Sequence, residues 1–256
     1  FMQKKFEGKT VLVTGASSGI GKVTAIEFAS AGAKVVIAAR RVEESQQVVK
    51  QIKDDGGEAT FVQTDVARHD SIRNLIEQTV NTYGRLDCAF NNAGIAGDVF
   101  TPTADHTEEN WDTVMNVNLK GAFLCMKYEI IEMLKTGGGA IVNNSSVYGL
   151  KSSTVGHVPY AVSKHGMIAL TKTAAHEYAT KGIRINAVCP GWTHSEIVDA
   201  ALEAYPAVNQ LIAEQVPMQR VADSIEIARV VMWLCSEESS YITGQAIAPD
   251  GGWLAR

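Results

Sequence analysis

The stretch Thr10-Val11-Leu12-Val13-Thr14-Gly15-Ala16-Ser17-Ser18-Gly19-Ile20-Gly21 opens as a short β-branched run and passes at once into a glycine turn. Behind it, Val23, Ile26, Glu27, Phe28 and Ala29 carry a helical pattern to a stop at Ala31-Gly32. Strand, glycine turn and helix in that order are what a phosphate-binding loop needs. Glycines let the backbone approach a pyrophosphate, and the free amides of the helix N-terminus supply donors and a positive dipole.

Outward from this loop the alternation repeats. Lys34-Val35-Val36-Ile37-Ala38 reads as a second strand buried on both faces, Val42 to Asp55 as an amphipathic helix closed by Gly56-Gly57, and Ala59 to Thr64 as a third strand. Ser71 to Tyr83 is helical, Leu86 to Phe90 a fourth strand running into Asn91-Asn92-Ala93-Gly94, and Glu108 to Lys135 one long helix with Trp111, Val114, Met115, Asn118, Ala122, Met126 and Ile130 or Ile131 on its inward stripe. Ala140 to Asn144, Ile183 to Val188 and Gln245 to Pro249 give strands five to seven, separated by helices at Val158 to Lys181 and Ser224 to Cys235. Strands alternating with helices imply an α/β fold, a parallel sheet wound right-handedly with ligands at the strands' carboxyl ends.

The 256 residues, 46% hydrophobic and 20% charged, contain no linker, repeat or low-complexity run, so one domain spanning 1–256 is expected. A formal net charge of -5 argues against nucleic acid or an anionic membrane as the main partner. No signal-peptide pattern and no bilayer-length apolar run is present, and a cytoplasmic location is expected. Cys88, Cys125, Cys189 and Cys235 stand singly in apolar segments, as core thiols do, and the histidines show no ligand spacing, so no catalytic metal is expected.

The second strand ends in Arg40-Arg41, where dinucleotide folds place either an acid for the adenosine ribose hydroxyls or an arginine for a 2′-phosphate. Two guanidiniums favour NADP over NAD, with NAD still possible. Asp65, with Val66, ends the third strand where its carboxylate can accept from an adenine amino group or cap the next helix. Tyr160 and Lys164, four apart, share one helix face, and a fixed ammonium there lowers a phenol from its usual value of ~10. Ser146 follows the fifth strand at the same sheet edge. Asn118, on an inward stripe, needs partners for its amide: a core hydrogen bond, or a bound water in a proton path.

These residues together resemble the short-chain dehydrogenase/reductases over essentially the whole chain. Thr14 to Gly21 is similar to that family's TGxxxGxG cofactor loop, Asn91-Asn92-Ala93-Gly94 to its NNAG turn, Pro190-Gly191 to its PG turn, and Asn118, Ser146, Tyr160 and Lys164 to its catalytic tetrad. The resemblance implies a doubly wound Rossmann domain with helices on both faces of a seven-stranded parallel sheet. It implies cofactor contacts from Gly15, Ser17, Ser18, Gly19, Ile20, Gly21, Asp65, Val66, Asn91, Ala93, Gly94, Tyr160, Lys164, Pro190, Gly191 and Ser195, the last on the nicotinamide carboxamide. At the position where NADP-preferring members often carry a basic residue, this chain has Ser18.

The expected activity is hydride transfer between NADPH and a ketone or secondary alcohol. Ser146 positions the oxygen, Tyr160 protonates it, Lys164 lowers the phenol and binds the nicotinamide ribose, and Asn118 holds a water. A catalytically silent cofactor-binding regulator on the same fold is the alternative, and the complete Ser146, Tyr160, Lys164 set speaks against it. A sugar-nucleotide epimerase of the longer form needs a larger C-terminal domain than follows Pro190. Residues 192–217 read as a substrate lid loop with a weak helix at Glu196 to Ala204. Val147, Tyr148, Leu150, His157, Trp192, His194 and Tyr205 are expected around a pocket for a small carbonyl or alcohol with an apolar body. The resemblance also implies a homotetramer packed through the helices at 108–135 and 158–181.

Overall fold

A computed structural model describes residues 5–204 and 206–255. Its framework is a seven-stranded sheet, every neighbouring pair parallel, in the order β3-β2-β1-β4-β5-β6-β7. The strands are β1 (Thr10–Thr14), β2 (Lys34–Ala39), β3 (Glu58–Gln63), β4 (Cys88–Asn91), β5 (Gly139–Asn144), β6 (Ile183–Val188) and β7 (Ala246–Ile247). Leu12 of β1 sits between Val36 of β2 and Ala89 of β4, so the apolar runs lie at the centre of the sheet.

Helices cover both faces. On one side α1 (Gly19–Ser30), α2 (Val42–Asp54) and α9 (Ser224–Cys235) bury Phe28, Val48, Ile52, Ile227 and Val231 with Val11, Val13, Val35 and Ile37. On the other, α3 (His69–Tyr83), α5 (Ala122–Lys135) and α6 (Val158–Tyr178) bury Leu75, Met126, Ile130, Met133 and Ala175 with Leu12, Val36, Ile141 and Ile185. The central strands β1, β2 and β4 are therefore apolar at consecutive positions, because their alternate side chains enter different but equally dry layers. The winding reverses between β1 and β4, and the crevice at the carboxyl ends of those strands is where such sheets bind ligands. All four cysteines are free and buried. Among the described residues no helix is long and apolar enough to cross a membrane.

Two segments depart from expectation. The helix expected over 108–135 is interrupted: α4 (Glu108–Met115) passes through a π turn (Asn116–Gly121) before α5 begins. The i→i+5 bonding of a π turn shifts the phase of everything beyond it. Of the expected inward stripe Val114, Asn118, Ala122, Met126 and Ile130 are buried, whereas Trp111 and Ile131 are exposed. The expected lid loop at 192–217 is mostly helical: α7 (Glu196–Ala204) is followed by α8 (Pro206–Gln215), which buries Val208 and Ile212 beside Val216. The helix over 206–215 was not expected; it opens on Pro206, which is tolerated in a helix's first turn because the missing N–H would be unsatisfied there in any case.

Candidate active site

The glycine loop lies against the turn after β4. Gly15 has φ +65°, and a Cβ on it would come within 2.9 Å of the Ala93 Cα. A Cβ on Gly21 would stand 2.4 Å from the Gly15 carbonyl oxygen, so only glycine lets helix and loop meet. Thr14 ties the two turns together: its hydroxyl accepts from the Asn92 and Ala93 amides at 3.0 and 3.1 Å. Asn92 donates to the Thr14 and Gly15 carbonyls at 3.1 and 3.2 Å, and its own oxygen accepts from Asn144 at 2.8 Å. Thr14 and Asn92 lie inside the two motifs but had no role assigned, and Asn144 lies outside them; all three are site-building residues, which a local pattern does not reveal because their partners come from other strands. Asn91, expected on the cofactor, turns its side chain into the core, where it donates to Glu129 and Asn143 at 2.9 and 3.1 Å.

Ser195, which reaches the Val198 amide at 3.3 Å, approaches the glycine loop from the opposite side, and its Cβ lies 3.4 Å from where a Cβ on Gly19 would stand. The Pro190 carbonyl accepts from Val147, and Gly191 packs so tightly on Asp250 that a Cβ would come within 2.9 Å of its Cα.

Beside the loop, the ends of β2 and β3 frame an open cavity of about 520 Å³ lined by Arg40, Gln63, Thr64, Asp65, Arg68, Asp70 and Ser71. Asp65 does not cap α3; its Oδ1 accepts from Ala67 at 3.0 Å in a local turn. Val66 is buried. Arg41 points the other way, across the loop: Nε and Nη2 donate to Ser17 Oγ at 3.2 and 3.1 Å, and Nη2 to Ser18 Oγ at 2.7 Å. A guanidinium therefore reaches the place where the sequence has Ser18 and no basic side chain of its own. A glycine cradle, a cavity of this size and a positive fork at the rim fit a dinucleotide.

The reacting groups converge at the ends of β5 and β6. Ser146 opens a 3₁₀ turn at Val147–Gly149, its hydroxyl accepting from the Tyr148 amide at 3.1 Å. Tyr160 and Lys164 are one helical turn apart on α6, and Lys164 Nζ stands 5.3 Å from the Tyr160 ring centroid while donating to the Asn144 carbonyl at 2.6 Å. A Cβ on Gly94 would lie 3.3 Å from Asn118 Oδ1 and 3.6 Å from Lys164 Nζ, so the turn after β4 runs between them.

Asn118 is fully buried: its oxygen accepts from the Ile95 amide at 2.8 Å, and its nitrogen donates to the Ile95 carbonyl at 2.9 Å and Ser163 Oγ at 3.2 Å. Both amide hydrogens are thus taken up by the protein. The side chain is thereby fixed as a hydrogen-bonded core amide.

The electrostatics differ from the simple expectation. Burial pushes the Tyr160 phenol up to about 12, against the hydrogen bond from Ser146 that lowers it. Burial likewise draws Lys164 down to about 8, with the neighbouring Cys189 acting the other way. Removal from water disfavours the charged form of each group, which raises the phenol and lowers the ammonium. His157, also buried and held down to about 4, is a neutral ring 4.8 Å from the Tyr160 ring, with Nδ1 2.7 Å from Ser153 Oγ.

Of the expected pocket residues, Val147, Tyr148 and Trp192 gather with Tyr160, Val155, Leu211 and Trp253 in one apolar cluster. His157 joins them through Tyr148, at 4.9 Å between ring centroids. Leu150 is exposed, and His194 is exposed and paired with Asp199 at 2.6 Å, so neither lines it. Tyr205 lies outside the described residues.

A doubly wound sheet with a dinucleotide cradle, and a serine, tyrosine and lysine at its edge, defines a nicotinamide-dependent oxidoreductase as the class. The family model described as enoyl-(acyl carrier protein) reductase matches residues 15–254. An oxidoreductase of Thermotoga maritima is 43% identical, covering 98% of this chain and 99% of that one. An A-factor type gamma-butyrolactone 1'-reductase of Streptomyces virginiae is 42% identical over 96% of this chain and 95% of its own. The structure of a putative 2-deoxy-d-gluconate 3-dehydrogenase of Agrobacterium tumefaciens with bound NADP superposes with a TM-score of 0.90, at 35% identity and 100% coverage of both chains. The chain belongs to the short-chain dehydrogenase/reductase family and is an oxidoreductase acting on CH–OH or C=O groups.

Proposed function

We propose that this protein reduces a ketone to a secondary alcohol with NADPH. The observation that carries the reading is the convergence of Ser146, Tyr160 and Lys164 at the ends of β5 and β6, with Lys164 Nζ over the Tyr160 ring, beside the glycine cradle. When bound, the reduced nicotinamide supplies hydride to the carbonyl carbon. Ser146 donates to the carbonyl oxygen and fixes it, and Tyr160, protonated throughout the neutral range, hands its proton to that oxygen as charge develops there. The Lys164 ammonium, held by the Asn144 carbonyl, stabilises the phenolate left behind. Asn118 acts as a positioning residue: its amide locks Ile95 and Ser163, and Ser163 in turn donates to the Tyr160 carbonyl at 2.7 Å.

NADPH is favoured because Arg41 is aimed at the loop by Ser17 and Ser18, ready for a 2′-phosphate, while Arg40 and Asp65 line the adenine side. The substrate is a small carbonyl compound with an apolar body, in keeping with Val147, Tyr148, Trp192 and Leu211 around the phenol. One domain serves both ligands, the location is cytoplasmic, and the working form is a homotetramer built on exposed apolar residues of α4 to α6.

A panel of ketones followed by NADPH absorbance tests the reading, with NADH as the poorer donor. Tyr160→Phe lowers turnover by a factor on the order of 10² or more and leaves NADPH binding intact. Full activity in that variant, or equal use of NADH and NADPH by the wild type, contradicts it.

A further inference from the structure

Arg41 has a second set of partners that the proposed cofactor role does not use. Its Nη1 donates to both carboxylate oxygens of Glu196, at 3.2 and 3.0 Å, and Glu44 stands 3.7 Å from the same nitrogen. Glu196 is the first residue of α7, 155 positions along the chain from Arg41. Both side chains are accessible, with 40% and 62% of their surface exposed, so a solute can reach the pair. Ser17 and Ser18 accept from the guanidinium through their oxygens. Their own hydroxyl hydrogens remain available to an anion at the same rim. An arginine fork flanked by two hydroxyls is an anion site, and in this conformation the anion on it is a carboxylate of the chain itself.

We propose that Glu196 is a specificity-determining residue for the cofactor: its carboxylate occupies the Arg41 fork as an intramolecular competitor of a 2′-phosphate. It thereby sets how strongly the enzyme distinguishes a phosphorylated from an unphosphorylated adenosine ribose. The inference rests on the NADP(H) reading above. A 2′-phosphate must displace Glu196 from Nη1 and then sits beside a like charge, so the carboxylate weakens phosphate binding and leaves a free ribose hydroxyl unaffected. The competition is between exposed charges and fades as salt screens it.

The test is calorimetric titration with 2′,5′-ADP and with 5′-AMP, neither of which depends on turnover. In Glu196→Gln the affinity ratio of 2′,5′-ADP to 5′-AMP rises about threefold to tenfold at low ionic strength, through 2′,5′-ADP alone, and the gain shrinks at about 0.5 M salt. In an Arg41→Ala background the same substitution changes nothing, the coupling expected of a direct pair. An unchanged or lower ratio in Glu196→Gln overturns the inference, the lower ratio showing that Glu196 holds Arg41 in its productive pose. So does a gain that persists without Arg41. Equal binding of the two ligands by the wild type and by both glutamine and alanine variants instead removes the NADP(H) reading itself.

Discussion

Lys164 carries its charge against the pull of the fold. Its ordinary value is 10.5, and burial lowers it to about 8, so the ammonium is complete only below that pH. Tyr160, pushed up to about 12, keeps its proton well beyond it. As pH rises, the first reacting group to change is therefore the lysine, and what is lost is the positive charge that stabilises the phenolate, while the proton donor remains. We expect kcat/KM for ketone reduction to bend downward near pH 8, where a simple tyrosine acid in water turns only near ~10. A profile flat from about pH 7 to about pH 10 removes the lysine charge from the mechanism.

At the scale of elements, β4, β5, α5 and α6 are stitched by a file of buried polar side chains beneath the site. Asn91 donates to Glu129 and to Asn143, and Asn143 donates to Thr171 at 2.9 Å. Glu129 is fully buried; burial raises it to about 8, against the Asn91 hydrogen bond that lowers it. Glu129 Oε1 and Asn91 Oδ1 have no hydrogen-bond partner, which suits a neutral acid better than a carboxylate. Because its folded value lies above the ordinary 4.5, its contribution to stability is complete below about pH 4.5 and is lost as pH climbs through about 8.

Glu129→Gln keeps the shape and stays neutral. Relative to that variant, the wild type should lose stability on the order of 2–5 kcal/mol between about pH 5 and about pH 9, read from urea midpoints. Parallel stability curves for the two proteins would show that Glu129 does not titrate on this scale.

The molecule as a whole leaves an apolar stripe uncovered. Phe123, Ile131 and Leu134 lie on one outward face of α5, with Trp111 on α4 and Val162 on α6 also exposed. Met167, Ile168, Thr171 and Ala175 of α6 are buried within the chain itself. The proposed homotetramer would therefore bury the exposed residues of these helices. Light scattering should give a multiple of the chain mass for the wild type, and the combined substitution of Ile131 and Leu134 by lysine should return the monomer with its helical circular dichroism intact. A wild type that is monomeric at tens of micromolar, a range in which stable oligomers stay associated, rules this assembly out.

The alternation from Thr10 to Val188 determined the parallel sheet and its layers, because a strand buried on both faces must be written as a continuous apolar run. Local patterning also placed Gly15, Ser146, Tyr160 and Lys164 at one sheet edge, since parallel strands carry all their carboxyl ends to the same side. What the sequence could not decide were outcomes of competition in three dimensions. The π turn at Asn118 depends on Ile95, and the inward turn of Asn91 on Glu129. Burial sets the direction in which Tyr160 and Lys164 are displaced from their ordinary values. Arg41 and Glu196, far apart along the chain, meet only because the fold folds α7 back over the glycine loop. Such pairings leave no periodic trace, for they arise from loop closure and desolvation, which act between elements and have no local spacing to read.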